Sequence, residues 1–179
     1  MRTIRKQIFE TNSSSVHALI LGKEISNILP NDVEFDFFDM QEYEIDDICV
    51  PYNDPTLDIT NKASFIFEEL ISRFNFNLVK YNECRKFIVD TLAEIGIVAT
   101  IPVYKRYFER IDSYNFSEIK DFFEECIIKR NSDMLLRYLF SIDTIIDGFE
   151  DECGDNWEKF EAGLDKNKIN INECYTDRR

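Results

Sequence analysis

The sequence predicts a single α+β domain in which an N-terminal β-hairpin and a small antiparallel sheet pack with four to five helices. Short alternating or β-branched segments occupy the first sixty residues, and apolar residues at helical spacing follow them. Of the 179 residues, 44% are hydrophobic and 14% aromatic, which is typical of a chain that builds a core. We place the domain at residues 1–165 and a polar C-terminal tail, frayed or pinned locally, at 166–179.

The predicted strands lie mainly near the N-terminus. Thr3–Phe9 and Val16–Leu21 are joined by the polar hexapeptide ETNSSS, whose side chains favour a turn, so they predict the hairpin. In Val33–Phe37 apolar and acidic residues alternate strictly, which indicates a half-buried strand. Tyr43–Ile48 is a further candidate strand, and β-branched residues predict another at Ile97–Val103.

Helical spacing of apolar residues predicts the remaining elements. Asn115 and Glu118 resemble a capping box, Ser132 is a candidate N-cap, and a last acidic helix is expected at Asp155–Ala162. The apolar faces of the first four helices comprise Ala63, Phe67, Leu70, Ile71, Phe74 and Leu78; then Cys84, Ile88, Leu92 and Ile95, ended by Gly96; then Ile119, Phe122, Phe123, Cys126 and Ile127; then Leu135, Tyr138, Leu139 and Ile142.

The charge is strongly acidic and unevenly distributed. The formal net charge is −14, which disfavours direct nucleic-acid binding, because such binding needs a basic face. Residues 24–61, here called the acidic segment, contain eleven Asp or Glu and no Lys or Arg. A second acidic run spans Asp143–Asp165, with nine acidic residues and Lys159 as its single base. The rest of the chain is mildly basic, so the polarity favours a basic partner.

The cysteines and hydropathy bear on compartment. Five widely spaced cysteines without a C-x-x-C motif favour reduced thiols over a disulfide scaffold or a zinc site. The N-terminus has no apolar stretch behind its basic residues, and we expect neither export nor a membrane association. The sequence therefore predicts a cytoplasmic protein with no cofactor and no metal.

The acidic segment is the first candidate site. Alternate side chains along a strand lie roughly 6.6 Å apart, on the order of the spacing between nucleic-acid phosphates, so its carboxylates can imitate a backbone. A DNA mimic of this kind would occupy the basic groove of a nucleic-acid-handling protein; the competing interpretation is a solvated face that keeps the chain soluble. The predicted partner-binding residues are Asp32, Glu34, Asp36, Asp39, Glu42, Glu44, Asp46 and Asp47.

The second candidate site is the string ETNSSSVH at residues 10–17, which contains the single histidine of the chain. Its polar groups suit an oxyanion-binding loop, or a serine nucleophile with His17 as base, so the alternative function is a small enzyme or a phosphate- or nucleotide-binding protein. A hairpin turn explains the same residues, and we assign no catalytic residue. The candidate loop residues are Glu10, Asn12, Ser13, Ser14, Ser15 and His17.

Residues 8–17, IFETNSSSVH, resemble the opening of a family of small proteins from phages and mobile elements of low-GC Firmicutes, in which ETNSSS is followed by a hydroxyl or small residue and then His. Val16 stands where that family often has Thr. The resemblance covers only these ten residues. It implies an anti-CRISPR protein that evades host defence by inhibiting the single-protein, RNA-guided nuclease of type II systems, and it implies no catalytic residue.

Overall fold

A computed structural model describes residues 15–26, 29–35, 59–74, 77–102, 117–150 and 162–177. Its strands are β1 (Ser15–Gly22), β2 (Asp32–Glu34), β3 (Val98–Thr100), β4 (Ile145–Glu150) and β5 (Ile169–Asp177). Its helices are α1 (Ile59–Phe74), α2 (Leu78–Glu94), α3 (Ser117–Phe123), which continues into a π-helical turn at Glu124–Ile128, and α4 (Ser132–Phe140). The predicted α+β class is confirmed: the described residues form four helices, a small antiparallel sheet and a parallel strand pair.

The antiparallel sheet has the order β4-β1-β5, so β1 is its central strand. Its register places Leu19 opposite Ile146 on β4 and Tyr175 on β5. Both edges of β1 are therefore paired between His17 and Ile20. The predicted hairpin partner Thr3–Phe9 lies outside the described residues, as does Tyr43–Ile48, and the described neighbours of β1 come from the C-terminal third of the chain.

The residues predicted as a polar tail contain β5, which corrects the boundary at Asp165. Ile169–Asp177 pairs with β1 over most of its length, and Tyr175 packs against the core, its ring 5.7 Å from that of Phe122. The segment is rich in Asn and charged residues because alternate positions of a strand can remain polar while Ile169 and Tyr175 supply the apolar contacts. The tail is part of the sheet.

The helices form the core with one face of β1 and with β2. Leu19 and Leu21 of β1 and Val33 and Phe35 of the β2 segment join the buried faces of all four helices in one cluster. The predicted core residues on α1 and α2 are buried, with two exceptions: Ile95, which caps α2 and is partly buried, and Leu78, the first residue of α2, which is exposed. Gly96 follows with φ of 82°, a left-handed conformation that glycine adopts without strain.

Three helix predictions need correction. Leu78 does not extend the apolar face of α1: the Asn77 side chain accepts a hydrogen bond from Lys80 N and starts α2, leaving Leu78 51% exposed. Asn131, not Ser132, caps α4, its side chain accepting from Met134 N at 3.2 Å. Because α4 ends at Phe140, Ile142 lies past the helix and is exposed.

The remaining sequence predictions have mixed outcomes. Phe122, Phe123, Cys126 and Ile127 are buried as expected, but their helix widens into the π-helical turn, in which Lys129 N donates to Glu124 O. The predicted strand at Ile97–Val103 is confirmed over Val98–Thr100. The capping residue Asn115 lies outside the described residues, as does most of Asp155–Ala162.

Gly22 is required where β1 passes the end of α4. A Cβ atom at Gly22 would lie 1.9 Å from Ser141 Oγ and 2.8 Å from Ser141 Cβ. We expect Gly22→Ala to lower the free energy of unfolding by about 2 kcal/mol through overpacking. A double-mutant cycle by urea denaturation should show that Ser141→Gly relieves at least half of this loss.

Gly163→Ala is the matched control, because nothing lies within 4 Å of a Cβ atom at Gly163. We expect it to change the free energy of unfolding by less than about 0.5 kcal/mol. Equal effects of the two glycine substitutions would show that the approach of β1 to Ser141 does not limit the size of residue 22.

Candidate partner-binding surface

The structure describes the beginning of the acidic segment. Glu24, Asp32 and Glu34 are placed, and all three are exposed. The other predicted partner-binding residues, Asp36, Asp39, Glu42, Glu44, Asp46 and Asp47, lie outside the described residues. The geometry of the candidate surface is therefore that of β2 and its neighbours.

β2 fixes its carboxylates by burying the residues between them. Val33 is 2% exposed and Phe35 is fully buried, and both belong to the core cluster. Since successive side chains of a strand point to opposite faces, Asp32 and Glu34 share the face turned to solvent, roughly 6.6 Å apart along the strand. The predicted alternation of Val33–Phe37 is confirmed at Val33, Glu34 and Phe35, while Asp36 and Phe37 lie outside the described residues.

β3 lies beside β2 and completes this surface. The two strands are parallel, with Asp32 opposite Val98 and Glu34 opposite Thr100. Phe35 N donates to Thr100 O at 2.9 Å, and Ala99 lies opposite Val33 on the core side. Val98 is 68% exposed and Thr100 is also exposed. We call the four exposed side chains of Asp32, Glu34, Val98 and Thr100 the β2–β3 face.

The carboxylates of this face are available to a partner. Within the described ranges, neither Asp32 nor Glu34 forms an ion pair, whereas exposed Asp90 on α2 pairs with Lys86. Sequence reasoning identified the two acidic residues but missed Val98 and Thr100, since the parallel pairing joins segments more than sixty residues apart. The β-branched composition of Ile97–Val103 indicated a strand without indicating its neighbour.

The structure describes only the end of the ETNSSSVH string. Ser15 and His17 belong to β1, where His17 lies opposite Gly148 on β4 and Asp177 on β5. Glu10, Asn12, Ser13 and Ser14 lie outside the described residues. The predicted strand position of His17 is confirmed, and the convergence of the loop residues into a site stays a prediction.

The buried titratable groups are arranged for structure rather than for nucleophilic chemistry. Burial raises the pKa of the Cys84 thiol to about 11 and raises that of Cys126 further, so both remain protonated at neutral pH and are poor nucleophiles. Tyr81 donates to Pro102 O at 2.6 Å, and burial raises its pKa to about 12. In the part of the chain that the structure describes, no three His, Cys, Asp or Glu side chains are grouped to hold a metal ion.

Two buried cations connect elements of the core, Arg137 joining a helix to the sheet and Lys62 joining two helices. Arg137 on α4 donates to Glu173 on β5 through two nitrogens, to Asp133, and to Gly22 O. Lys62 on α1 donates to Ser141 O at 3.0 Å, and burial lowers its pKa to about 8. Arg137 thereby joins α4 to β1 and β5, and Lys62 joins α1 to the residue that follows α4.

Comparisons of this chain with protein-family models, with curated proteins and with solved structures gave no match. Among the described residues, no helix has the length and apolar character needed to cross a membrane.

Proposed function

We propose that this protein is a cytoplasmic inhibitor, of phage or mobile-element origin, that binds a nucleic-acid-handling effector in a bacterial host. Its acidic segment occupies the basic groove of that effector and competes with DNA or RNA. The target is the single-protein, RNA-guided nuclease of a type II system, which makes the protein an anti-CRISPR.

The observation that supports this proposal is the presentation of Asp32 and Glu34 on one solvent-facing side of β2, anchored by buried Val33 and Phe35. A short strand that holds two carboxylates in this way reproduces the regular charge spacing of a nucleic-acid strand. The strand that carries these side chains is held by buried Val33 and Phe35, so less backbone conformational entropy is lost when a partner docks.

The charge of the whole chain supports the same partner class. A net charge of −14 attracts a basic protein and accelerates its association, while it repels nucleic acid. RNA-guided nucleases hold their heteroduplex in a positively charged channel, which is the kind of groove an acidic protein can enter. The choice of this nuclease among basic effectors rests on the resemblance of residues 8–17.

The test is binding of the purified, guide-free nuclease to wild type and to a fourfold charge reversal, Glu34→Lys, Asp36→Lys, Glu42→Lys and Glu44→Lys. We expect the reversal to weaken binding at least about 100-fold, since like charges then face each other. Raising the salt concentration should weaken wild-type binding as well. The measurement is biolayer interferometry together with inhibition of DNA cleavage.

The matched control reverses four acidic residues outside the segment, Glu83→Lys, Asp90→Lys, Glu94→Lys and Asp121→Lys, all exposed in the structure. It changes the net charge equally, so retained binding would locate the effect in the acidic segment. If both fourfold variants bind as wild type does, occupation of the groove by the segment is wrong. A folded His17→Gln protein that binds normally but no longer inhibits would instead support the enzymatic alternative.

A further inference from the structure

We infer that the partner docks on the β2–β3 face and buries Val98 between cationic contacts to Asp32 and Glu34. The occupant is a protein segment that presents Lys or Arg side chains beside an aliphatic side chain. This inference rests on the proposed function and specifies its contact surface. The contact surface then includes β3, from the middle of the chain, in addition to the acidic segment. Val98 supplies an apolar contact beside the carboxylates.

Val98 is an exposed apolar residue on the β2–β3 face. At 68%, Val98 is among the most exposed large apolar side chains of the described residues, together with Val79 and Ile142. Only Val98 of these three lies in strand register with a carboxylate, opposite Asp32. Residues opposite each other in adjacent strands share a face of the sheet, so the apolar and acidic groups form one surface.

The two strands of the β2–β3 face are held by pairing and by the core. β2 and β3 are joined by backbone pairing, and their opposite face contributes Val33 to the core and Ala99 to contacts with it. β3 also follows α2 directly, through Gly96 and buried Ile97. The backbone of the two strands is held by the core beneath it, so a partner meets a surface whose backbone is already in place, which favours binding.

Charge complementarity determines the class of occupant. Nucleic acid would face Asp32 and Glu34 with like charge, and a second copy of this chain would face them with another protein of net charge −14. A membrane of anionic lipids is disfavoured for the same reason. A basic protein segment with an aliphatic side chain pairs with both kinds of group, since interfaces combine an apolar centre with polar surroundings.

The experiment measures binding of the purified, guide-free type II nuclease to single and double variants over a range of salt concentrations. We expect Val98→Ser to weaken binding about 10-fold with an unchanged salt dependence, because it removes an apolar contact. The double variant Asp32→Asn and Glu34→Gln should weaken binding and also reduce the salt dependence. Matched controls are Ile142→Ser, equally exposed at 69%, and Glu94→Gln with Asp121→Asn on exposed helix positions.

The possible failures are distinguishable. If wild type binds the nuclease but Val98→Ser and its Ile142→Ser control bind equally well, the docking surface is wrong while the proposed function stands. If wild type does not bind the nuclease at all, the proposed function fails and this inference fails with it. If light scattering shows that wild type is a dimer and the Val98→Ser variant a monomer, the face binds a second copy of this chain and the inference is overturned.

Discussion

Replacing Arg137 by Ala should lower the free energy of unfolding by about 3 kcal/mol, because it breaks the largest buried ionic network described in this protein. The Arg137 side chain is 9% exposed. It donates to Glu173 Oε1 at 2.9 Å, to Asp133 Oδ2 at 2.8 Å and to Gly22 O at 3.1 Å. One side chain thereby joins α4 to both β1 and β5.

The expected loss of stability is large because Arg137→Ala leaves Glu173 and Gly22 O without the group that they bind. Glu173 is 24% exposed, and without Arg137 its carboxylate keeps a hydrogen bond from Asn170 but no countercharge within the network. Gly22 is buried, and its carbonyl oxygen loses the hydrogen bond that Arg137 donates. A buried group left without its partner costs more than the pair contributed when intact.

Urea denaturation of three variants tests this prediction. Arg137→Lys should recover only part of the loss, since an ammonium group does not reproduce the paired contact of a guanidinium with a carboxylate. Arg137→Met combined with Glu173→Leu should be more stable than Arg137→Ala, because no charge stays buried alone. As control, Lys86→Ala, which removes a pair that is 73% and 54% exposed, should have little effect. A loss below about 1 kcal/mol for Arg137→Ala would contradict the assigned role.

The second large effect is a pH dependence caused by Lys62. This side chain is 5% exposed, and burial lowers its pKa from 10.5 to about 8. The ionised form is therefore disfavoured in the folded protein, by about 3 kcal/mol for that difference in pKa. At pH 7 both the folded and the unfolded state hold the proton, so this cost is present in full, with Lys62 Nζ donating to Ser141 O.

The sign follows from proton binding. Between about pH 8 and 10.5 the unfolded chain holds a proton on Lys62 that the folded protein has released, so the free energy of unfolding rises with pH. From pH 7.5 to 9.5 this contribution amounts to about 2 kcal/mol. Below pH 8 both states are protonated, and the contribution no longer changes.

The test compares wild type with Lys62→Met by urea denaturation at several pH values. The difference in free energy of unfolding should favour Lys62→Met at pH 7.5 and move toward wild type by about 2 kcal/mol at pH 9.5. Burial of Cys84 has the opposite sign, because its raised pKa makes the protein lose stability as its unfolded thiol ionises. That contribution cancels in the difference. A difference that stays constant with pH would show that Lys62 is not buried in its charged form.

Local patterns were sufficient to predict the helices. The spacing of Phe67, Leu70, Ile71 and Phe74 identifies the buried face of α1, and Gly96 marks the end of α2, because helical contacts join residues three and four apart. The strand at β2 was equally predictable, since the alternation of Val33, Glu34 and Phe35 is itself local. The acidic half of the candidate surface follows from the same pattern.

Caps and helix ends were predicted less well, because competing local signals are decided by packing. Asn131 and Ser132 are both good N-caps, and the structure uses Asn131 while Ser132 lies within 3.3 Å of Thr91 on α2. Leu78 continues the apolar spacing of α1, yet Asn77 starts a new helix and leaves it exposed.

The sequence by itself determined the α+β class, the helical core faces and the exposure of Asp32 and Glu34. Only the tertiary structure decided that β5 pairs with β1, that β4 lies on the other side of β1, and that Val98 stands beside Asp32. The physical reason is the separation in sequence between the residues that interact. Strand neighbours are chosen by burial and backbone pairing between segments more than sixty residues apart, and the short alternation at residues 169–172 of β5 does not indicate which strand lies beside it.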